Sequence, residues 1–263
     1  MSFRYIFFLM LICCNTNGQQ ILKTQSTPVP GSGAYVKNPD AFSFTQNPAV
    51  LSSYDNILFG LFNERRFLMD ETAVYSLSAS LPTDYGGMGL NFDYTGFSKY
   101  SDYKLSVAYG KGLGSVAAGI TFSYSNKKFS DYGNEGNFSG GLGLLFKVNP
   151  KFSTGIQVTN MIQTNKSRLP VILKIGAGYQ PSTSVFLGLD ISKEEFVPAA
   201  IFLLLSYNYN ERFHGGIGFN TSTVTFSGTA GVSWNDYRVD ISVGYHRFLG
   251  FTPGVTLFAK MKK

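Results

Sequence analysis

The sequence predicts an all-β fold: a transmembrane antiparallel β-barrel of about fourteen strands with an N-terminal plug segment. Apolar residues alternate with small or polar residues in segment after segment, as in GGMGLNFDYTGF at 86–97. Successive side chains of a strand point to opposite faces, so each segment has one apolar face and one polar or glycine-rich face. Only 14% of the 263 residues are charged, against roughly 25% in soluble proteins. The 29 Gly, 24 Phe and 16 Tyr also favour closely spaced strands in a medium that tolerates few charges.

The apolar face of these segments is predicted to point outward into lipid. A soluble sandwich would leave the polar face in water, where many glycines would only weaken the strands. A glycine-rich polar face instead indicates crowding by something inside a barrel. Aromatic residues lie near the strand ends, where the interfacial girdles of a membrane barrel belong. The longest purely apolar run after residue 18 is AAIFLLL at 199–205, which is too short for a helix across the membrane.

The first region of the chain, residues 1–18, is predicted to be a secretory signal peptide. Arg4 precedes a short apolar run, Tyr5–Cys14, and small polar residues and Gly18 follow it. Cleavage is expected near Gly18, and a lipoprotein with an acylated Cys14 is the alternative. Both cysteines of the chain lie in this region, so the exported protein is expected to have no disulfide.

The other two regions are residues 19–55 and residues 56–263. Residues 19–55 are polar, contain four prolines and do not alternate. Asn47, Pro48 and Ala49 indicate a short helical turn introduced by an Asn-Pro pair. Because a barrel of this size has a lumen that its own side chains do not fill, we expect residues 19–55 to form a plug, with a free periplasmic segment as the alternative. Residues 56–263 are expected to form the barrel, with short turns at one rim and longer, more charged loops at the other.

The polar face of the predicted strands carries charged residues that would lie in the lumen. Because these residues carry charges of both signs, we expect them to form ion pairs that attach the wall to the plug. A charged path through the lumen is the alternative. The predicted lumen residues are Asp93, Lys104, Lys147, Lys174, Asp190, Asp240 and His246. Phe202 and Leu204 break the alternation by placing apolar side chains on the same face. They would pack against the plug or line an apolar ligand path.

No catalytic or metal-binding arrangement is predicted. Asp240, Ser242 and His246 share one strand face, but steps of about 6.5–7 Å per two residues keep Ser242 and His246 out of hydrogen-bonding reach. The two histidines, His214 and His246, have no metal-ligand spacing, and the loop DYGNEGN at 131–137 lacks the calcium-loop pattern. The net charge of +6 is diffuse, without the basic stripe typical of nucleic-acid binding. We expect no enzyme activity, no cofactor and no nucleic-acid partner.

The sequence resembles the FadL-like outer-membrane proteins in its Asn47-Pro48-Ala49 stretch, its plug-like N-terminus and its number of strands. Segments such as SLPTDYGGMGLNFDYTGFSKYSDYKLSVAYGK and GYHRFLGFTPGVTLFA are similar to the PorV/PorQ-type branch of Bacteroidota, with PorP/SprF-type proteins as a near competitor. The resemblance implies an outer-membrane location and an accessory role in type IX protein secretion. The implied partners are outer-membrane lipid and secretion translocon subunits or secreted cargo. The alternative function is FadL-like transport of small hydrophobic molecules.

The resemblance also implies a gap in the barrel wall, because a kink in an early strand opens the wall of FadL. Gly86, Gly87, Gly89 and Gly96 concentrate in the third predicted strand. Glycine permits a kink or bulge there, so these residues are the candidates for such a gap.

Overall fold

The structure, a computed structural model, describes residues 39–130, 133–163, 169–222 and 225–262. Its strands form one closed antiparallel barrel in which sequence neighbours pair and β1 pairs with β14. The strands are β1 (Asn56–Arg65), β2 (Ala73–Thr83), β3 (Gly86–Phe97), β4 (Tyr100–Leu113), β5 (Val116–Phe129), β6 (Gly133–Asn149), β7 (Phe152–Gln163), β8 (Ile172–Tyr179), β9 (Val185–Glu194), β10 (Ala200–Asn208), β11 (Phe213–Asn220), β12 (Thr225–Trp234), β13 (Tyr237–His246) and β14 (Gly250–Lys262). The all-β class, the closed barrel and the number of strands that the sequence predicts are confirmed.

The alternation of the sequence becomes the two faces of the barrel wall. In β3, the outward side chains of Met88, Leu90 and Phe92 are 51%, 49% and 40% exposed. Asn91 and Asp93, which alternate with them, are buried on the inner face. Similar outward apolar residues recur around the barrel. A continuous apolar surface of this kind is unfavourable in water and is typical of the lipid-facing band of a membrane barrel.

The two rims of the barrel differ less than the sequence predicts. The segments predicted as long loops at 97–103 and 126–137 are mostly strand, and residues 98–99 alone connect β3 to β4. Cross-strand aromatic contacts stabilise these extended hairpins: the ring centroids of Tyr100 and Phe129 are 5.1 Å apart. The prediction of long loops at these two places is therefore wrong.

One side of the wall is taller than the other. Strands β3 to β6 have 12, 14, 14 and 17 residues, while β8 and β11 have 8 each. A tilted strand needs about 9–11 residues to cross a membrane, so the tall strands continue beyond it at the long-loop rim. Tyr124 marks the aromatic girdle there, with its ring 6.2 Å from Tyr103 and 4.7 Å from Phe138. Tyr100, the first residue of β4, lies beyond this girdle.

Residues 39–55, named here the inner segment, pack against the inner face of the wall. They form one α-helical turn, α1 (Ser43–Gln46), and a 3₁₀ helix, Pro48–Ser53. The side chain of Asn47 caps the 3₁₀ helix by accepting a hydrogen bond of 3.0 Å from the Ala49 N–H. The core lies between this segment and strands β4 to β6, and its buried members are Phe44, Ala49, Val50, Leu51, Tyr54, Ala108, Ala117 and Leu145. Within the described residues, no helix is long and apolar enough to span a bilayer.

Candidate functional site: the barrel lumen

Glycines on the inner face of the wall let the inner segment approach the backbone of the strands. A Cβ atom at Gly89 would lie 2.8 Å from the ring of Phe44. A Cβ atom at Gly119 would collide with the backbone of Pro48. No side chain other than hydrogen fits at such a close approach. The crowding that a glycine-rich inner face predicts is supplied, along this part of the wall, by residues 39–55.

The glycines of β3 do not form the predicted bulge. β3 pairs in continuous register with β2 and with β4 over residues 86–97. Gly87 and Gly89 face the inner segment instead, and Gly86 follows the tight turn from β2 with a φ of 150°. Gly96 lies close to the backbone of the β4 strand. Close packing and turn geometry therefore explain these four residues, and the strand stays regular.

The irregular part of the wall lies in β6 and β7. Their pairing shifts register between Gly140 and Leu142, which is the pattern of a β-bulge. Opposite this shift, Asn160 has a φ of 59°, a left-handed conformation that asparagine adopts more readily than most residues. Its side chain donates a hydrogen bond of 3.0 Å to the carbonyl of Pro170. No local sequence signal marked this place.

Polar side chains bind the inner segment to the wall. Nδ2 of Asn47 donates a hydrogen bond of 3.0 Å to the carbonyl of Leu144. Nζ of Lys174 donates one of 2.8 Å to Oε1 of Gln46. Two further wall side chains donate to carbonyls of the segment: Ser78 to Ala41 at 2.5 Å and Gln157 to Thr45 at 3.4 Å. The predicted plug also includes residues 19–38, which lie outside the described residues.

The other predicted lumen residues follow the inner face of their strands but not one common site. Asp93 accepts a hydrogen bond of 2.5 Å from Ser76 and stands opposite Lys104 in the register of β3 and β4. Asp190 is buried on β9. Lys147 is exposed near the short-turn end of β6. These residues are distributed around the lumen, so they do not form a single charged path.

Asp240 is the centre of a charged cluster that joins the wall to the inner segment. Its Oδ1 atom lies 2.9 Å from Nε2 of His214, and its Oδ2 atom lies 3.1 Å from Nη2 of Arg238. The same Arg238 nitrogen lies 3.4 Å from Oδ2 of Asp40. A carboxylate oxygen only accepts hydrogen bonds, so Nε2 of His214 carries the hydrogen that it shares with Asp240. Asp40, His214, Arg238 and Asp240 are named here the Arg238 cluster.

Gly231 makes this cluster sterically feasible. It lies on β12, between β11 and β13, and pairs with His214 on one side and Asp240 on the other. A Cβ atom at Gly231 would collide with both side chains. The sequence predicts Asp240 as a lumen residue but does not predict Asp40, His214 and Arg238 as its partners. A glycine inside an otherwise regular strand was the one available signal, because it often marks a close approach.

His246 does not join Asp240 or Ser242 in a catalytic arrangement. Its Nδ1 atom accepts hydrogen bonds of 3.2 Å from the backbone N–H groups of Phe248 and Leu249. Its ring lies 6.0 Å from that of Phe67, edge to face. His246 therefore holds the loop between β13 and β14 at the long-loop rim. In the part of the chain that the structure describes, no group of three or more His, Cys, Asp or Glu could hold a metal ion.

Phe202 and Leu204 lie on the inner face of β10, as the sequence predicts. Both are half-buried, while Leu203 between them is 48% exposed on the outer face. A Cβ atom at Gly218 of β11 would lie 2.9 Å from the Phe202 ring, so the ring packs closely against the neighbouring strand. Leu204 stands opposite the same glycine in the register of β10 and β11. The two side chains form an apolar patch on an otherwise mostly polar wall.

A closed antiparallel barrel with an apolar outer face and a polar inner face is the architecture of outer-membrane channels. Among solved structures, the chain is similar to the CymD monoaromatic hydrocarbon channel, with a TM-score of 0.68 and 11% identity over 89% of this chain and 95% of that chain. It is also similar to the deltaS2S3 mutant of the TodX monoaromatic hydrocarbon channel, with a TM-score of 0.65 and 10% identity over 89% and 96% of the two chains.

A third similar structure is a Pseudomonas aeruginosa FadL homologue, with a TM-score of 0.60 and 8% identity over 88% of this chain and 96% of that chain. At these identities the likeness shows the fold alone, which is FadL-like. No protein-family model matches the chain, and no curated protein matches it. The PorV/PorQ-type branch therefore stays a prediction from the sequence.

Proposed function

We propose that the protein is an outer-membrane channel that admits small hydrophobic molecules, which is the alternative function that the resemblance implies. The observation that carries this proposal is the apolar patch of Phe202 and Leu204 on the inner wall. In a barrel of fourteen strands, β10 lies opposite β3, one of the strands against which the inner segment packs. The proposed passage runs between the inner segment and the β10 wall.

An apolar solute needs an apolar surface to displace water from a polar lumen. Phe202 and Leu204 offer that surface, and the absence of a side chain at Gly218 gives the Phe202 ring room to pack against the wall. Two of the similar structures are described as monoaromatic hydrocarbon channels, which supports the same class of solute here. In this proposal residues 1–18 are removed on export, residues 19–55 form the plug, and residues 56–263 form the barrel in the outer membrane.

The test is uptake of radiolabelled toluene by cells with an outer membrane, because toluene crosses simple lipid bilayers unaided. The host lacks its own hydrocarbon channels, and initial rates are compared with an empty vector. Leu204→Ser is expected to reduce uptake several-fold, since it makes the patch polar. Leu203→Ser is the matched control on the lipid-facing side of the same strand. Uptake at the empty-vector rate, or an equal loss in the two variants at equal amounts of folded barrel, would overturn the proposal.

The role in type IX secretion is a second candidate. The observation that favours it is the tall β5–β6 hairpin, which rises beyond the aromatic girdle with exposed Lys128 and Glu135 near its end. A surface above the membrane is what a translocon subunit or a secreted cargo protein would bind. The test is a pull-down from native outer membrane with the wild type and with a variant that carries Lys128→Ala and Glu135→Ala. Partners that the variant loses would support this role, and an eluate without protein partners would contradict it.

A further inference from the structure

We infer that Arg238 fixes the start of the inner segment to the wall, and that separation of Arg238 from Asp40 opens the passage at the short-turn rim. The first part of this inference, that Arg238 fixes the segment, depends only on the contacts in the structure. The second part, that a passage opens, rests on the proposed function. Arg238 is thus a positioning residue, which acts on the solute path through the segment that it holds.

Arg238 contacts the inner segment through both charge and aromatic packing. Its Nη2 atom lies 3.4 Å from Asp40 and 3.1 Å from Asp240, so one guanidinium is shared by a carboxylate of the segment and one of the wall. Its Cζ atom lies 3.9 Å from the centre of the Phe258 ring, a cation–π contact. The Phe258 ring lies 5.9 Å from Phe42 of the segment, edge to face.

Asp40 connects the Arg238 contact to α1 through hydrogen bonds within the inner segment. Its Oδ1 atom accepts hydrogen bonds of 2.9 Å from the Phe42 N–H and from the Ser43 hydroxyl. Its carbonyl accepts one of 2.8 Å from the hydroxyl of Tyr54. The carboxylate that binds Arg238 therefore also orders the turn that leads into α1. When Asp40 loses its contact with Arg238, we expect this turn to become less ordered.

The far end of the segment has its own attachments. The 3₁₀ helix is held by the bond from Asn47 to the Leu144 carbonyl and by packing on Ala108 and Ala117. These contacts lie on β4 to β6, away from the Arg238 cluster on β11 to β13. Loss of the Arg238 contact is therefore expected to loosen residues 40–46, which keep their hydrogen bonds from Ser78, Gln157 and Lys174, and to leave residues 47–53 unchanged. An ion pair that only stabilises the barrel would not affect residues 40–46 and residues 47–53 differently.

The experiment is hydrogen–deuterium exchange of the full protein in detergent micelles, resolved by residue. Arg238→Ala is expected to speed exchange of the Ser43 and Thr45 amides by on the order of tenfold, which is the range for a lost hydrogen bond to a charged group. The amides of Ala49 and Val50 should not change. Arg212→Ala is the matched control, because Arg212 is an exposed arginine in a turn of the same rim.

Asp40→Asn is the second variant, and it changes the segment without touching the barrel wall. It keeps a side-chain oxygen that can accept the hydrogen bonds from Phe42 and Ser43 but removes the charge, so it should reproduce the faster exchange of Ser43 and Thr45. Combined with Arg238→Ala it should add little, since both remove the same contact. Unchanged exchange in both single variants, or equal acceleration across residues 40–53, would overturn the inference about the segment.

Toluene uptake then separates the two proposals. Arg238→Ala is expected to raise the initial uptake rate several-fold over the wild type. If the wild type takes up toluene, and Arg238→Ala speeds exchange without changing uptake, the opening of a passage is overturned. The role of Arg238 in fixing the segment would still stand. A wild type that shows no uptake would overturn the proposed function, and exchange would still decide whether Arg238 holds the segment.

Discussion

His214 and Asp240 contact each other across a strand to which neither belongs. Nε2 of His214 on β11 lies 2.9 Å from Oδ1 of Asp240 on β13, and the intervening residue of β12 is Gly231. A side chain at this position would separate the pair. The orientation of Asp240 toward Arg238 thus depends on the absence of a Cβ atom on a third strand.

Gly231→Ala is predicted to destabilise the barrel and to displace the ring of His214. Forcing an extra carbon into a packed site typically costs about 1–3 kcal/mol, and here the Cβ atom would collide with two side chains. The measurement is urea unfolding in detergent, followed by the gel mobility of folded and unfolded barrel. Gly228→Ala on the same strand is the control, because a Cβ atom there meets nothing within 4 Å. Equal stabilities of the two variants would contradict the prediction.

Asn47 is predicted to contribute two separable hydrogen bonds. Asn47→Ser keeps an oxygen that can cap the 3₁₀ helix but is too short to reach the carbonyl of Leu144. Asn47→Ala loses both bonds, and loss of a helix cap costs about 0.5–2 kcal/mol. We expect the free energy of unfolding to fall in the order wild type, Ser, Ala, measured by the same urea titration. A serine variant less stable than the alanine variant would show that the cap does not matter here.

The parts of this fold that the sequence predicts are those set by the two-residue period of a strand. That period gave the lipid-facing residues of β3, and it placed Phe202 and Leu204 on the inner face. The two-residue period does not show where a hairpin turns. The sequence therefore predicts a loop at residues 97–103, whereas aromatic pairs extend the strands there. A glycine in a strand allows either a bend of the strand or the close approach of another part of the chain. Gly87 and Gly89 allow the close approach of the inner segment.

The Arg238 cluster lay beyond local sequence reasoning for a different reason. Its members come from the inner segment and from two strands that are not adjacent in the barrel. Contacts of this kind depend on the register of β11, β12 and β13 together. A shift of one residue in any of them would turn His214 or Asp240 toward lipid. The sequence does show the charges and the glycine, but not which of them meet.

Gly119→Ala is predicted to push the inner segment away from the wall. A Cβ atom at Gly119 would collide with the backbone of Pro48, which has no flexible end that could move aside. We expect faster amide exchange at Ala49 and Val50 and a lower free energy of unfolding. Gly112→Ala is the control on β4, since its Cβ atom would lie 3.6 Å from Ser52 in ordinary contact. Unaltered exchange at Ala49 in the Gly119 variant would contradict the tight packing of the 3₁₀ helix.

Tyr100 is predicted to make the outer end of the β3–β4 hairpin sensitive to alkaline pH. Partial burial, together with the charge of Asp102 and the hydrogen bond to it, raises the pKa of Tyr100 from 10.0 to about 12. Its hydroxyl donates that hydrogen bond over 3.3 Å to Oδ2 of Asp102. The folded state thus favours the neutral phenol, which has no negative charge to repel the carboxylate.

The sign of the pH dependence follows from this raised pKa. Below pH 10 Tyr100 is neutral in both the folded and unfolded chain, and its contribution to stability is complete. As the pH rises toward about 12, the unfolded chain has already lost the proton, so that contribution is lost. The measurement is a pH titration of tyrosine-ring NMR signals, with Tyr100→Phe to assign the resonance. Asp102→Asn should lower the pKa of Tyr100, because it removes the neighbouring charge, although burial keeps part of the increase. An unchanged midpoint in that variant would contradict the pairing of Tyr100 with Asp102.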